Sequence, residues 1–469
     1  MPAAKDIRIR MYRQGLGDAF LLRIPKRGGN FHVVIDCGVF IASANQSANM
    51  RAIAEDVKAE TGGRVDLLVA THQHWDHLSG FQQAREIWDT IAIDELWLAW
   101  TEEPGNPVAD QLRGARLQLR VAARAAAAEL RARGANASLR AGIESVLGFF
   151  GDAPAAGAQR DGTDDALDYL KQRATKVRYC HPTEPPRALP GVSGLLAYAL
   201  GPPEDAALVR QSEVSASRDE IYNLAPHASA DLGLASALSA DARDRGCPFD
   251  PAYRIADGRA KPMSFFRNHY GFSSHSREAW RCIEDDWLDA GGELALKLDS
   301  DTNNTSLVLA FESVAGGEVL LFAADAQVGN WLSWSDRTWT VPGPRGSTRT
   351  VTGPELLKRT VLYKVGHHGS ENATLRAKGL ELMTSDELVA MITVGRAKAE
   401  KLHWAMPYDP MYRVLKTKTR GRILIAEDGL PPAADLASLS AAARKRFLDA
   451  VKVAPLWIDY TIQPKRRTL

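Results

Sequence analysis

The segment His72-Gln73-His74-Trp75-Asp76-His77 puts four candidate ligands into six residues. The chain has 11 histidines, and three of them stand here, directly after the mainly apolar run Val65 to Ala70. That concentration argues against a polar loop with chance histidines. Imidazole and carboxylate together suit zinc or a similar first-row divalent ion. If the strand continues, residues 72, 74 and 76 share one face. Three histidines and an aspartate exceed one ion's needs once water is counted, so the segment is read as serving two metal ions.

Two further elements offer matching chemistry. Asp325 directly follows the apolar run in Leu321-Phe322-Ala323-Ala324-Asp325. A carboxylate there can bridge two cations with one oxygen on each; the plainer alternative is a helix N-cap, which Asp favours. His367 and His368 also follow an apolar run, between Gly366 and Gly369. Flanking glycines permit a tight turn around a ligand. One histidine can bind metal while its neighbour contacts substrate or donates a proton.

These residues need strands that end beside one another. Ile7 to Tyr12, Ala19 to Ile24 and Phe31 to Asp36 read as strands separated by turns. A helix over 47–60, a strand Val65 to Ala70, a helix Leu78 to Ile87 and a strand Ile91 to Ala99 give a βαβ-like unit. Pro104 to Leu147, rich in Ala, Arg and Leu, reads as one or two amphipathic helices. Gly151 to Thr163 reads as a loop, and 204–290 as an irregular insertion. Later strands are expected at Gly194 to Leu200, Ser306 to Phe311, Val319 to Ala323, Arg359 to Val365, Leu388 to Val394 and Arg422 to Ala426. A helix is expected over Leu436 to Val453.

The pattern His-x-His-x-Asp-His, with a later strand-end Asp and a final His, resembles the metallo-β-lactamase fold superfamily. That resemblance spans roughly residues 6 to 430. It implies an α+β fold, an αββα sandwich with helical and loop insertions. The domain estimate is a hydrolase domain over 1–430, with insertions at 104–163 and 204–290, followed by a C-terminal helix and tail over 431–469. Gln14-Gly15-Leu16-Gly17-Asp18-Ala19-Phe20-Leu21-Leu22 and Val34-Ile35-Asp36-Cys37-Gly38 are similar to the soluble hydrolase domain of the ComEC/Rec2-like competence branch. So are Asn303 to Leu309, Lys364-Val365-Gly366-His367-His368-Gly369-Ser370 and Gly421 to Gly429.

Carried over residue by residue, the resemblance implies that His72 and His74 bind a first metal and Asp76 and His77 a second. Asp325 bridges both. Either His367 or His368 completes the second site, and His368 is preferred because the usual form places glycine after the ligand. Asp36 orients a ligand histidine from behind, and Asp18 helps hold the same loops. One departure stands out. The family's additional histidine, just before the strand at Ser306 to Phe311, is replaced by Asp301, Thr302, Asn303 and Asn304. The first site is therefore expected to be incomplete, or completed by Asp301 or by a histidine from elsewhere, such as His181, His227, His269 or His275.

Two divalent ions, zinc or alternatively manganese, imply hydrolysis by a metal-activated water. Asp76 and the unused histidine, His367, are the catalytic candidates. A phosphodiester, in a nucleic acid or otherwise, is the leading substrate class. The alternatives are a small-molecule phosphoester, lactam, lactone or thioester, and a non-enzymatic interaction module with a residual metal site. Lys and Arg total 58 against 57 Asp and Glu, a net charge of +1, so any grip on nucleic acid must be local. Arg113, Arg116, Arg120 and Arg124 share one helix face. Lys416, Lys418, Arg420 and Arg422 would share one side of a strand. Both series can equally be solvated faces. Tryptophans 331, 334 and 339 are candidates to roof the site or stack on a base, against ordinary packing. Four dispersed cysteines (Cys37, Cys180, Cys247, Cys282), no apolar run near 18 residues and no apolar stretch after MPAAKDIRIR lead to the expectation of a cytoplasmic protein without a membrane partner.

Overall fold

The structure, a computed structural model, describes residues 6–41, 45–133, 137–152, 162–211, 255, 257–270, 286–313, 317–342, 347–401 and 404–462. Cys247, Cys282, His227, His275 and nearly all of 212–285 outside two short helical pieces lie outside the described residues. Two compact units make up the chain. The larger comprises Met1–Arg113, Gly148–Ala225 and Ser300–Leu469, and the smaller comprises Gly114–Leu147 and Pro226–Asp299.

The larger unit is built on two sheets. The first contains β1 (Ile7–Tyr12), β2 (Ala19–Lys26), β3 (Gly29–Cys37), β4 (Arg64–Val69), β5 (Ala92–Ala99) and β6 (Ala174–Cys180) in chain order. β1 to β3 form an antiparallel meander, and β3 to β6 are parallel. The second contains β7 (Arg187–Ala188), β8 (Leu195–Gly201), β9 (Val308–Ser313), β10 (Val319–Phe322), β13 (Thr360–Lys364), β14 (Val389–Ile392) and β15 (Ile423–Ile425). Here too an antiparallel half is followed by a parallel one, β10-β13-β14-β15. A separate hairpin, β11 (Thr338–Pro342) with β12 (Thr348–Thr352), lies between β10 and β13 in sequence.

Alternation along the strands explains the layering. Ile9, Met11, Phe20, Leu22, Val33 and Ile35 from the first sheet share one core with Leu309, Phe311, Leu320, Phe322, Leu362 and Met391 from the second. The Phe20 and Phe322 rings meet edge to face at 5.7 Å across it. The opposite face of the first sheet packs on α1 (Gln46–Thr61), α2 (Trp75–Gln83), α3 (Arg85–Trp88) and α6 (Thr163–Arg173). Helices Gly353–Lys358 and Asp409–Thr419 pack on β10 and β14. The α+β fold is thus the expected αββα sandwich.

Several elements differ from expectation. The helix expected over Leu78 to Ile87 starts at Trp75, with His74 as its N-cap, so residues 72 to 76 do not continue the strand. α6 and β6 were not anticipated, because the helix runs into the strand at Arg173–Ala174 without a Gly or Pro break. The helix expected over Leu436 to Val453 is Ala441–Ala450, followed by β16 (Val451–Val453). β17 (Trp457–Ile462) then pairs antiparallel with both β16 and β1. β16 and β17 thus extend the first sheet beyond β1.

The smaller unit holds most of α4 (Pro107–Arg133) and α5 (Ala137–Gly148). Ala122, Ala123, Ala126, Ala127 and Leu130 are buried along one side of α4, at the spacing of an amphipathic helix. No described helix is long and apolar enough to cross a membrane.

Candidate metal centre

Parallel strands deliver the site residues at their carboxyl ends, where open α/β sheets characteristically bind ligands. β3 ends on Asp36-Cys37 and β4 leads into Thr71 and His72. β10 leads into Asp325, β13 ends on Lys364 ahead of His367 and His368, and β14 leads into Thr393. Two glycines, one before β2 and one after β3, bring their loops close to the backbone of Asp76. A Cβ on Gly17 would come within 2.7 Å of the Asp76 carbonyl oxygen, and one on Gly38 would overlap that same carbonyl. Only glycine lets these loops lie against the first turn of α2. Six non-glycine residues among those described have positive φ, and four of them are Asp36, Ala324, His367 and His368. Such backbone costs about 1–3 kcal/mol each and persists only where the surroundings impose it.

The geometry gathers Asp76, His77, Asp325 and His368, all buried, with ligand atoms within 4.8 Å of one another. His77 Nε2 is 3.0 Å from Asp325 Oδ2, and His368 Nε2 is 3.0 Å from Asp76 Oδ2. Asp18, Asp36 and His77 form a second such group. Behind the ligands, Asp36 accepts hydrogen bonds from the Thr71 amide at 2.8 Å and hydroxyl at 2.7 Å, and it faces His77 Nδ1 at 2.8 Å. His368 Nδ1 is held by the Thr393 carbonyl at 2.7 Å, and the Thr393 hydroxyl donates to Asp18. Each imidazole thus presents its other nitrogen to the carboxylates.

His72 Nε2 and His74 Nδ1 converge at 3.1 Å. No third His, Cys, Asp or Glu among the described residues joins them in a ligand group. His181 is taken up elsewhere, 3.1 Å from Glu103 and 3.3 Å from Glu204. His269 belongs to the smaller unit. Asn304, near the position of the family's additional histidine, accepts from the Gln327 amide and donates to the Gln211 carbonyl. Asp325 is not a helix N-cap: Gln327 caps the next helix, Val328–Leu332. Its Oδ1 receives the His367 amide at 3.2 Å and faces Lys364 Nζ at 3.4 Å, which leaves Oδ2 toward the histidines.

Charge and burial reinforce this reading. Burial drives the pKa of His72 well below its usual value and that of His74 down to about 3, which favours the neutral imidazole that a metal binds. For His77 and His368 burial is outweighed by the surrounding carboxylates, Asp325 foremost, and both are pushed up. Burial likewise fails to raise Asp76 and Asp325, which His77 and His368 hold below the ordinary carboxylate range. Lys364 adds a further positive charge beside Asp325. Asp76 Oδ1 is buried with no hydrogen-bond partner among the described residues. A buried carboxylate oxygen without a donor costs free energy that a cation would recover. The donor set, carboxylate and imidazole, suits a first-row divalent metal.

Lys364 was not singled out from the sequence. It is buried, pairs with Asp18 and donates to the Ala324 carbonyl at 3.0 Å. Burial alone would lower its pKa, but Asp18 and Asp325 outweigh burial and raise it. Its only sequence signal was a lysine closing an apolar strand just before the histidine pair.

Other candidates lie away from the cluster or are used internally. Trp331 and Trp334 are fully buried, and Trp339 is nearly so. Their indole N–H groups donate to Ala326 O, Asn330 Oδ1 and Pro182 O. They are packing residues, not a roof. Lys416 and Lys418 are on the helix Asp409–Thr419 and Arg420 is its left-handed C-cap, so the four residues do not line one side of a strand. They are engaged by Asp435, by the Glu381 and Met383 carbonyls and by Asp386, while Arg422 is buried. On α4, Arg120 is buried and Arg113 donates to Thr101 O and Glu103 O, which breaks the expected cationic stripe. Cys37 and Cys180 are buried free thiols whose pKa values burial pushes up.

No curated protein matches the chain. A family model does, the metallo-beta-lactamase superfamily, over residues 12–128, a span that includes Asp18, Asp36 and the whole His72 to His77 segment. The match covers these residues, and the group Asp76, His77, Asp325 and His368 could hold a metal ion, consistent with a hydrolase-type site of that superfamily.

Proposed function

We propose that the protein is a metal-dependent phosphodiester hydrolase. The observation that carries this is the buried group Asp76, His77, Asp325 and His368 with its backing residues, beside the converging pair His72 and His74. The ligand assignment we favour is His72 and His74 for a first ion, with Asp76, His77 and His368 for a second and Asp325 Oδ2 between them. Zinc is the favoured metal, with manganese the alternative. Bound there, the ions supply a Lewis acid and a water of lowered pKa. Asp76 holds one oxygen toward His368 and keeps Oδ1 for a metal or for orienting the nucleophile. His367 is buried and its pKa lowered to about 4, so it is neutral at pH 7. Its Nδ1 faces the Ser370 hydroxyl at 2.9 Å and the Gln327 side-chain nitrogen at 3.4 Å, so Nε2 is the nitrogen we assign to a phosphate oxygen. The phosphodiester is supported by the similarity of five segments to the ComEC/Rec2-like branch.

A second reading, hydrolysis of a small phosphoester, lactam, lactone or thioester, is favoured by the internal use of Arg120, Lys418 and Arg422 described above. Both are tested by assaying zinc- and manganese-loaded protein on DNA, RNA and bis(p-nitrophenyl) phosphate, with Asp76→Ala and His74→Ala as controls. Metal-dependent cleavage lost in both variants is expected. Equal inertness of wild type and variants on all three substrates rejects phosphodiesterase activity.

A further inference from the structure

Three loops of the larger unit each send an aromatic ring to one place beside His74. Phe40 follows β3, Phe149 follows α5, and Trp404 follows the helix Arg396–Lys401 beyond β14. Phe149 and Trp404 stack at 5.6 Å with 20° between their planes. Phe40 closes the group, 4.7 Å from Phe149 and edge-on to Trp404 at 5.4 Å. The Phe149 ring in turn lies 5.4 Å from the His74 ring, and Phe150 meets His74 edge-on at 4.9 Å. The contact is anchored, because the Phe149 carbonyl accepts from the Trp75 amide at 2.6 Å.

The rings differ in exposure. Phe40, Phe149 and Phe150 are buried, whereas Trp404 is half-buried. Phe149 lies against one indole face and Phe40 meets the ring edge-on, and part of the Trp404 side chain stays exposed. Trp404 is therefore unlike Trp331, Trp334 and Trp339, which are enclosed. Lys398 Nζ, 5.9 Å from the Phe40 ring centroid, adds positive potential to the same rim. A half-covered indole on a rigid aromatic base, two ring contacts from a candidate metal ligand, suits a planar group attached to an anion.

We propose that Trp404, backed by Phe149, is a stacking subsite for a planar aromatic group of the substrate, at the His74 end of the metal centre. The inference rests on the proposed hydrolase for the phosphate end of the ligand only. Base–aromatic stacking is sequence-tolerant and strong enough to change affinity by about ten-fold or more.

The test compares adenosine 5′-monophosphate with ribose 5-phosphate by calorimetry on zinc-loaded full-length protein. Wild type should bind the nucleotide about ten-fold more tightly. Trp404→Ala should abolish that gap, leaving ribose 5-phosphate affinity and circular dichroism unchanged. Trp404→Phe should keep the gap yet lose the fluorescence quenching that the nucleotide causes in wild type. Equal affinities in wild type, or a gap that survives Trp404→Ala, overturns the subsite. Chelation should weaken both ligands while preserving their ratio. A preserved ratio without any metal effect supports the subsite and rejects the metal-held phosphate.

Discussion

Asp36 Oδ2 lies 2.8 Å from His77 Nδ1, and the opposite nitrogen of that imidazole faces Asp325 Oδ2 at 3.0 Å. Asp36 sets which nitrogen of His77 is left for a metal, and Thr71 sets Asp36. Loss of such a backing carboxylate typically costs about 10- to 100-fold in metal affinity. Asp36→Asn should weaken metal binding to that extent in competition with a chromophoric chelator. Unchanged affinity would show that Asp36 serves folding alone.

Lys364 is the buried cation that pairs with Asp18 and faces Asp325 at 3.4 Å. Removing one partner of a buried ion pair costs about 3–5 kcal/mol, because the charge left behind is uncompensated. Lys364→Met should lower the urea midpoint of the chelated protein accordingly. Adding zinc should return part of the loss, since binding to the folded state stabilises it. A midpoint equal to that of wild type without metal contradicts this role.

Gly38 has no room for a side chain because the Asp76 carbonyl and the His77 amide occupy its Cβ position. Gly38→Ala should displace the first turn of α2, lowering stability by about 1–3 kcal/mol, as overpacking does, and reducing metal stoichiometry with it. Gly29, whose Cβ position is open, provides the control. Gly29→Ala should stay within about 0.5 kcal/mol of wild type. Both are read from thermal melts and plasma emission.

Glu312 is buried and accepts from Tyr198 at 2.5 Å and from Arg349 at 2.7 Å, with Arg359 on its other oxygen. Burial opposes its ionisation, but these three donors outweigh burial and depress its pKa. Its contribution is therefore present above the unfolded carboxylate pKa and lost as pH falls through the folded one. Glu312→Gln should lower stability at pH 7 by about 1.5–3 kcal/mol, the range for hydrogen bonds to charged groups. The difference should shrink as the pH approaches 3. A difference that is constant from pH 7 to 3 in denaturation curves would exclude this charge effect.

Residue types and short-range order were enough to mark His72, His74, Asp76, His77, Asp325 and His368, because each follows an apolar strand run that the chain itself displays. His72 to His77, Asp325 and His368, though spread over about 300 residues, fall in one compact unit. Local patterning could not see pairings remote in sequence. β17 joins the first sheet only because β1, about 450 residues earlier, offers it a partner. Lys416 to Arg422 looked like a strand face because alternate basic residues satisfy period two, yet packing on β14 makes that stretch a helix end. Periodicity likewise had no means of separating an enclosed tryptophan from an accessible one. Trp331 and Trp334 stand near Asp325 in sequence and are buried, whereas Trp404 reaches the His74 rim through Phe149. The sequence by itself determined the ligand chemistry, which depends on residue type. Only the tertiary structure decided which nitrogen faces which oxygen, that Lys364 supplies the internal counter-charge, and which ring stands beside the cluster, because these depend on loops meeting across two sheets.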